Sequence, residues 1–196
     1  MEKILKIIGL ILIIGGLLLV GLIYSPVIRE EANYRLTTVK SSFQKNKEII
    51  PIDKEFGLVI PKIDVNVKVF AHVDAAKPQE YLPLLAQGVA HAKGSLLPGQ
   101  EGNVFIFAHS TDTPLNASRY NAVFYLLNKM EKDDEIFVYY QQQKYVYKVM
   151  EKKIVAPEKL ADYLKTLKGK TLTLQTCYPP GTTLKRLIVI ARLVES

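Results

Sequence analysis

Residues 7–28 form an apolar segment that contains no charged side chain (IIGLILIIGGLLLVGLIYSPVI). In a helix these 22 residues extend about 33 Å, which is enough to cross a hydrocarbon core of about 30 Å. The alternative is a cleaved signal peptide. The apolar core of a signal peptide is only about 7–15 residues long and is followed by small residues at the cleavage site. In this chain the large residues Leu22, Ile23 and Tyr24 occupy that position. The segment therefore favours an uncleaved membrane anchor.

This anchor divides the chain into three predicted parts. Residues 1–28 hold a short N-terminal stub and the anchor, residues 29–55 are a polar linker, and residues 56–196 form a globular domain. Lysine and arginine stand on both sides of the apolar segment, so the charge asymmetry does not decide which side faces the cytoplasm. The residues alone leave the orientation open.

The composition excludes several classes of protein. Hydrophobic residues make up 48% of the chain and charged residues 23%, which is typical of a packed globular protein. The single cysteine, Cys177, excludes a disulfide framework and a zinc ribbon. The net charge is +7, but the basic residues are scattered, so no nucleic-acid partner is expected. Because the histidines and Cys177 lack metal-ligand spacing and no phosphate-binding glycine motif is present, neither a metal nor a cofactor is expected.

Short runs rich in valine, isoleucine and aromatic residues predict a mainly β domain. The predicted strands are Gly57–Ile60, Val65–Phe70, Asn103–Ala108, Glu135–Tyr140, Tyr145–Val155, Leu172–Cys177 and Leu187–Leu193. Helical spacing of apolar residues predicts three short helices, Gln79–Ala86, Arg119–Leu127 and Glu158–Leu167. About eight strands with few, irregularly placed helices favour a closed or partly closed antiparallel barrel over a doubly wound parallel sheet.

The last two strands are predicted to pair. Pro180 and Gly181 mark a turn between them, so Cys177 and Arg186 should stand at facing strand ends. Along the first of these strands, Cys177 alternates with the leucines and therefore need not point into the core. A guanidinium opposite the thiol could stabilise a thiolate, and it could also bind the oxygen of an attacked carbonyl.

A histidine is the natural proton carrier for acyl transfer to a thiol, because the departing amine must be protonated. His109 follows an apolar strand and begins a polar loop. The sequence is equally compatible with a functional role for this histidine and with an ordinary residue at a strand end. His91 precedes a predicted turn and could lie at the rim of the barrel. His72 has charged and small neighbours and reads as an exposed surface residue.

Taken together, these residues resemble the sortase family. The run 173–177 (TLQTC) is similar to the sortase motif TLxTC, and Arg186, nine residues later, is similar to the essential arginine of the family. His109 precedes Cys177 by 68 residues, at the end of a hydrophobic strand where sortases carry their catalytic histidine. Residues 58–69 and 88–110 resemble the first hairpin of sortases and the segment that leads to the histidine, so the similarity covers about residues 57–193.

The resemblance implies an eight-stranded sortase-type barrel and a cysteine transpeptidase. By this resemblance Cys177 is the nucleophile, His109 the acid and base, and Arg186 the donor to the substrate carbonyl. Thr176, directly before the nucleophile, and His91 are assigned to substrate binding, with Thr176 as a positioning group. The implied partners are secreted proteins with a sorting signal similar to Leu-Pro-x-Thr-Gly and an amine acceptor such as a peptidoglycan precursor. A single-pass cell-membrane protein with an extracytoplasmic catalytic domain and a cytoplasmic stub is also implied.

Two departures bear on the class of sortase. Ala108 and Ser110 stand where the family usually has glycine and often arginine, and no lid segment similar to Asp-Pro-Trp precedes the barrel. Together with Cys-Tyr-Pro at 177–179, these differences suggest a class D or E type rather than the pilus-polymerising group. Two alternative functions fit the same residues. One is a cysteine peptidase that hydrolyses the signal, and the other is an inactive, membrane-anchored binding barrel.

Overall fold

The computed structural model describes residues 3, 6–10, 12–18, 49–110 and 123–195. Residues 6–10 and 12–18 are helical. In this described part of the chain, no helix combines the length and the apolar character that a membrane crossing requires. Residue 11 and residues 19–28 of the predicted anchor, and residues 29–48 of the predicted linker, lie outside the described residues.

Eight strands close into a barrel, as the sequence predicts. They are β1 (Phe56–Ile60), β2 (Val65–Val73), β3 (Val89–Ala92), β4 (Asn103–Phe107), β5 (Glu135–Tyr140), β6 (Gln143–Val155), β7 (Thr171–Tyr178) and β8 (Lys185–Glu195). Around the barrel they follow the order β1-β2-β3-β4-β7-β8-β6-β5. All seven predicted strands are present. Strand β3 was missed because its four residues, with two alanines and a histidine, carry little strand signal.

The predicted barrel is confirmed, but it is not antiparallel throughout, because β2 pairs with β3 and β4 pairs with β7 in parallel. Parallel neighbours need a crossover connection rather than a tight turn. The helix Pro78–Leu85 provides that crossover between β2 and β3. Between β4 and β7 the chain first builds the β5–β6 hairpin and then passes through the helix Pro157–Lys165.

The two helices agree with the predicted ones to within two residues, and each begins with a proline, whose fixed φ suits the first turn. Leu160 and Leu164 of the second helix pack against the core cluster. On its polar side, the Tyr163 hydroxyl donates to Glu151 of β6, and Lys153 forms an ion pair with that carboxylate at 3.0 Å. The second helix is therefore fixed against the barrel from both sides.

The third predicted helix, Arg119–Leu127, is only partly described. Residues 119–122 lie outside the described residues. From there the chain forms a 3-10 turn at Tyr125–Lys129, and another 3-10 turn, Pro61–Ile63, connects β1 to β2. The leucines of the first of these turns, Leu126 and Leu127, are buried. The apolar spacing read as an α-helix thus serves a tighter turn that closes one side of the core.

The interior of the barrel is filled by alternate residues of each strand, which is the period expected for a β-sheet. Leu172 and Leu174 of β7 lie opposite Val104 and Ile106 of β4, and all four are buried in the core cluster. Phe105 and Thr173, which alternate with them, lie on the opposite face of the sheet and are buried as well. The same alternation that builds the core therefore sends every second residue of β7 to the opposite face, as predicted.

His91 belongs to the interior and not to the rim. None of its surface is exposed (0%). The ring accepts a hydrogen bond from the His72 backbone N–H at Nδ1 (3.3 Å), and its Nε2 lies 2.9 Å from the Leu96 carbonyl and 2.8 Å from the Ser95 hydroxyl. Because Nδ1 accepts, the neutral ring carries its hydrogen on Nε2. The prediction of a rim position is wrong, since these partners satisfy the ring inside the barrel.

His72, in contrast, is exposed, as predicted. It adopts a left-handed backbone conformation (φ 57°), and the β2–β3 register shifts between Phe70 and Val73. Burial lowers the pKa of His91, and the charge of the nearby His72 lowers it further. The neutral form of His91 is the one that fits this structure, because a protonated Nδ1 could no longer accept from His72.

Protonation of His91 should therefore destabilise the barrel. A histidine whose pKa is lower in the folded state contributes stability that is lost as pH falls below its unfolded value of about 6.5. From pH 7.5 to 5.5, the free energy of unfolding should fall with a slope that approaches about 1.4 kcal/mol per pH unit in the acid range. Urea denaturation followed by tyrosine fluorescence measures this slope.

The matched variants are His91→Gln and His72→Gln. His91→Gln should reduce the pH slope, whereas the exposed His72→Gln should keep a slope close to that of the parent chain. An unchanged slope in His91→Gln would show that the buried ring does not control acid stability.

Candidate functional site

Cys177 and Arg186 face each other at one end of the barrel. Strands β7 and β8 are antiparallel, and in their register Cys177 lies directly opposite Arg186. The sequence-based prediction of this pairing is confirmed. Residues that pair in a sheet point to the same face, so the thiol and the guanidinium start from adjacent positions on one surface.

His109 lies on the other side of Cys177. Strands β4 and β7 run parallel with Phe107 beside Gln175, and the Ala108 backbone N–H continues the pairing by donating to the Gln175 carbonyl at 3.1 Å. Extending this register by two residues brings His109 beside Cys177. Because neighbouring strands are about 4.8 Å apart, His109, Cys177 and Arg186 form one row across three strands. We refer to these three residues as the catalytic row, after the roles that the resemblance to sortases implies for them.

The catalytic row lies on the outer face of the barrel. His109, Cys177 and Arg186 are all half-buried, whereas Thr176 and Leu187, which alternate with them, are buried on the inner face. A half-buried thiol is accessible to a substrate yet shielded in part from oxidants. Nucleophilic chemistry at Cys177 is compatible with this degree of exposure.

Backbone contacts fix both ends of the row. Nη1 of Arg186 donates to the carbonyls of Thr183 (3.0 Å) and Lys185 (3.2 Å), so one corner of the guanidinium is held by the β7–β8 connection. On the opposite side, the His109 carbonyl accepts from the Phe124 N–H at 3.3 Å. A guanidinium has five N–H donors in a planar fork, and anchoring one nitrogen limits the directions in which the others can point.

Thr176 is not placed to contact a bound peptide. Its side chain is 1% exposed and faces the inner side of β7, where its hydroxyl donates to the Ala108 carbonyl at 3.0 Å. This bond links the residue before Cys177 to the residue before His109. The substrate contact implied by resemblance is replaced here by a positioning role, because strand alternation turns Thr176 away from the outer face.

His91 is not part of the row either. In the β3–β4 pairing it lies opposite Ile106, three residues before His109, and its ring is enclosed. The helix Pro78–Leu85 packs instead against Phe107, which lies two residues before His109. In this helix, Tyr81 packs edge-on against Phe107, with ring centroids 5.8 Å apart.

The sequence reasoning missed Gln175, Phe107 and Tyr81 as neighbours of the row. Strand alternation alone could have identified Gln175 and Phe107, because each lies two residues before a member of the row and shares its face. Nothing in the sequence marks Tyr81, whose position depends on how the helix packs. Within residues 49–110 and 123–195, no three His, Cys, Asp or Glu side chains are grouped to hold a metal ion.

The Thr176 hydroxyl should contribute measurably to stability. Replacing Thr176 with valine keeps the shape but leaves the buried Ala108 carbonyl without this donor, which should cost about 1–2 kcal/mol in the free energy of unfolding. The same substitution at the exposed Thr183 should cost less than about 0.5 kcal/mol. Equal stability of the two variants in urea denaturation would contradict the positioning role.

Comparison with known proteins gives a consistent result. A sortase domain model matches residues 58–194 of the 196-residue chain. Sortase D of Bacillus subtilis (strain 168) is 26% identical over 140 residues, which cover 70% of this chain but only 62% of that protein.

Solved structures of sortases share the fold. Sortase A from Corynebacterium diphtheriae has a TM-score of 0.59 at 28% identity, covering 74% of this chain and 62% of that one. Sortase C1 from Streptococcus agalactiae has a TM-score of 0.58 at 27% identity, covering 74% and 71%. Sortases of classes A, C and D are thus all similar, and they do not assign a class. Because the family model covers more than half of the chain and the barrel is shared, this chain belongs to the sortase family.

Proposed function

We propose that the chain is a membrane-anchored cysteine transpeptidase in which Cys177 is the nucleophile. The observation that supports it best is the catalytic row, in which a thiol has an imidazole-bearing residue in register on one side and a guanidinium on the other. These are the three groups that acyl transfer through a thioester requires, namely a nucleophile, a proton carrier and an oxyanion donor.

The first half-reaction forms the thioester. The Cys177 sulfur adds to the carbonyl carbon of the substrate, and its proton passes to His109. The carbonyl oxygen becomes negative and accepts hydrogen bonds from Arg186. The C–N bond then breaks, His109 returns the proton to the departing amine, and the acyl group remains on sulfur.

The second half-reaction transfers the acyl group. The acceptor amine attacks the thioester carbon and gives a proton to His109, while Arg186 again stabilises the negative oxygen. The C–S bond breaks and Cys177 recovers its proton. The product is a new amide, so the energy of the original peptide bond is conserved and no cofactor takes part.

The proposed substrates are secreted proteins with a sorting signal similar to Leu-Pro-x-Thr-Gly, cleaved after the threonine. The proposed acceptor is a cell-surface amine such as that of a peptidoglycan precursor. The proposed protein crosses the cell membrane once, with residues 1–28 as cytoplasmic stub and anchor, residues 29–55 as linker and residues 56–196 as the extracytoplasmic catalytic domain. The length and lack of charge of residues 7–28 carry this part of the proposal.

Replacing Cys177 with alanine should abolish acyl transfer. The full chain in detergent is incubated with a peptide containing Leu-Pro-Ala-Thr-Gly, and intact-protein mass spectrometry follows the acyl adduct. The parent chain should gain the mass of the peptide up to threonine, and Cys177→Ala should gain none, because no other thiol exists in the chain.

Adding triglycine should convert the adduct to a peptide–triglycine product. Release of the free acid alone, even at high triglycine, would identify a peptidase instead of a transpeptidase. Absence of both adduct and turnover in the parent chain would favour the inactive binding barrel, and turnover by Cys177→Ala would remove Cys177 from the mechanism.

Arg186→Lys should lower the rate of adduct formation by about 100-fold, since one ammonium cannot reproduce two donors of the planar fork. Arg192→Lys makes the same change on the same strand at an exposed position outside the row, and its rate should stay within about twofold of the parent rate. Mass spectrometry of samples quenched at successive times gives the rate of adduct formation for each variant. Similar rates for Arg186→Lys and Arg192→Lys would exclude the oxyanion role.

A further inference from the structure

Gln175 lies on the outer face of β7, two residues before Cys177, and is half-exposed. Strand β7 is central in the sheet, with β4 and β8 on its two sides. Among its outward-facing residues Thr173 is completely buried, whereas Gln175 and Cys177 are half-exposed. Other parts of the chain therefore cover the outer face of β7 up to Thr173 and leave it open from Gln175 onward.

The immediate neighbours of Gln175 on both sides are apolar. Phe107 and Ile188 flank Gln175 in register and are both buried. Tyr81 packs over Phe107, and the helix Pro157–Lys165 packs on the side of β8. Within the described residues the Gln175 amide has no hydrogen-bond partner, so a polar side chain stands among apolar neighbours with its donors available.

The spacing along β7 matches an extended peptide. Gln175 and Cys177 are two residues apart on one face, which is about 6.6 Å in a strand. In an extended peptide, main-chain carbonyls that point to the same side also recur every two residues, at about the same distance. A peptide laid along β7 with its scissile carbonyl at Cys177 thus brings another carbonyl over Gln175.

The acyl part of the substrate belongs on the Gln175 side. After the first half-reaction the acyl part stays bound, while the amine must leave and the acceptor must enter. The outer face of β7 closes toward Thr173, and it opens beyond Cys177, where Leu184 of the β7–β8 connection is 71% exposed. Exchange of amines therefore fits the open side, and the retained acyl part fits the closed side.

We propose that Gln175 is a further substrate-binding residue whose Nε2 donates to a main-chain carbonyl of the sorting peptide, two residues before the cleaved residue. This inference rests on the proposed transpeptidase function and deepens it. For a Leu-Pro-Ala-Thr-Gly peptide cleaved after threonine, the carbonyl is that of proline. The apolar flanks of Gln175 strengthen such a bond because they exclude water around it.

A substrate isostere tests the bond directly. The peptide is made with its normal Pro–Ala amide and with an (E)-alkene in its place, which removes the proline carbonyl together with the alanine N–H and keeps the chain extended. In the parent chain, the alkene should lower kcat/KM for acyl transfer by about threefold to tenfold, as expected for one hydrogen bond. In Gln175→Leu, the normal peptide should show a similar loss, and the alkene should cause little further loss.

Two variants complete the test. Gln175→Glu keeps the size of the side chain but replaces its donors with acceptors. Its kcat/KM with the normal peptide should therefore fall at least as far as that of Gln175→Leu. Gln143→Leu makes the same change at an exposed position at the far end of β6 and should respond to the alkene as the parent chain does.

The outcomes separate this inference from the proposed function. Suppose that Gln175→Leu forms the Cys177 adduct at the parent rate, and that the alkene lowers its kcat/KM by the same factor as in the parent chain. The Gln175 contact is then refuted, while the proposed transpeptidase function stands. If the parent chain forms no adduct with either peptide, both proposals fail. The contact is supported if Gln175→Leu has a lower kcat/KM than the parent chain with the normal peptide but the same kcat/KM as the parent chain with the alkene peptide. General destabilisation would instead lower kcat/KM for both peptides.

Discussion

The parallel pairing of β4 with β7 is the constraint on which the site depends. His109 and Cys177 are 68 residues apart in the chain, and only this pairing brings them side by side. Its last bonds are the Ala108 N–H to the Gln175 carbonyl and the Thr176 hydroxyl to the Ala108 carbonyl. A shift of one residue in this register would turn the outer face of one strand toward the core. The hydrophobic interior therefore fixes the alignment of the proposed catalytic groups as well as the stability of the barrel.

Strand alternation divides the work between the two faces of β7. Leu172, Leu174 and Thr176 face inward and hold the strand, whereas Gln175 and Cys177 face outward and are half-exposed. Thr176 shows how closely the two tasks are connected. Its position next to Cys177 suggests contact with a peptide, yet its hydroxyl is committed inside the barrel, where it links the strand ends that carry Cys177 and His109.

The parts that sequence predicted well are those that depend on local signals. The strand runs, the Pro180–Gly181 turn and the facing of Cys177 and Arg186 all follow from short-range patterns, and the structure has each of them. The parallel pairings, the formation of β3, which the sequence analysis missed, and the burial of His91 depend on residues far apart in the chain. His91 in particular is buried where His72, Ser95 and Leu96 all contact its ring, and no local sequence pattern predicts these three partners.

A catalytic row built across three strands leaves recognition to the segments around it. The thiol, imidazole and guanidinium start from backbone positions fixed by the sheet, so little conformational entropy is lost when a substrate binds there. The helix Pro157–Lys165 packs against β8, and the β7–β8 connection lies between the strands of Cys177 and Arg186, but neither is part of the sheet. In the proposed reaction, changes in these segments can alter which peptide fits without moving the row. Arg186 connects the two parts, because its anchored nitrogen bonds to the carbonyl of Thr183 in the β7–β8 connection and to that of Lys185 at the start of β8. In the proposed transpeptidase, a rearrangement of that connection on peptide binding would redirect the remaining donors of the fork and so couple the recognition of the peptide to the stabilisation of the oxyanion.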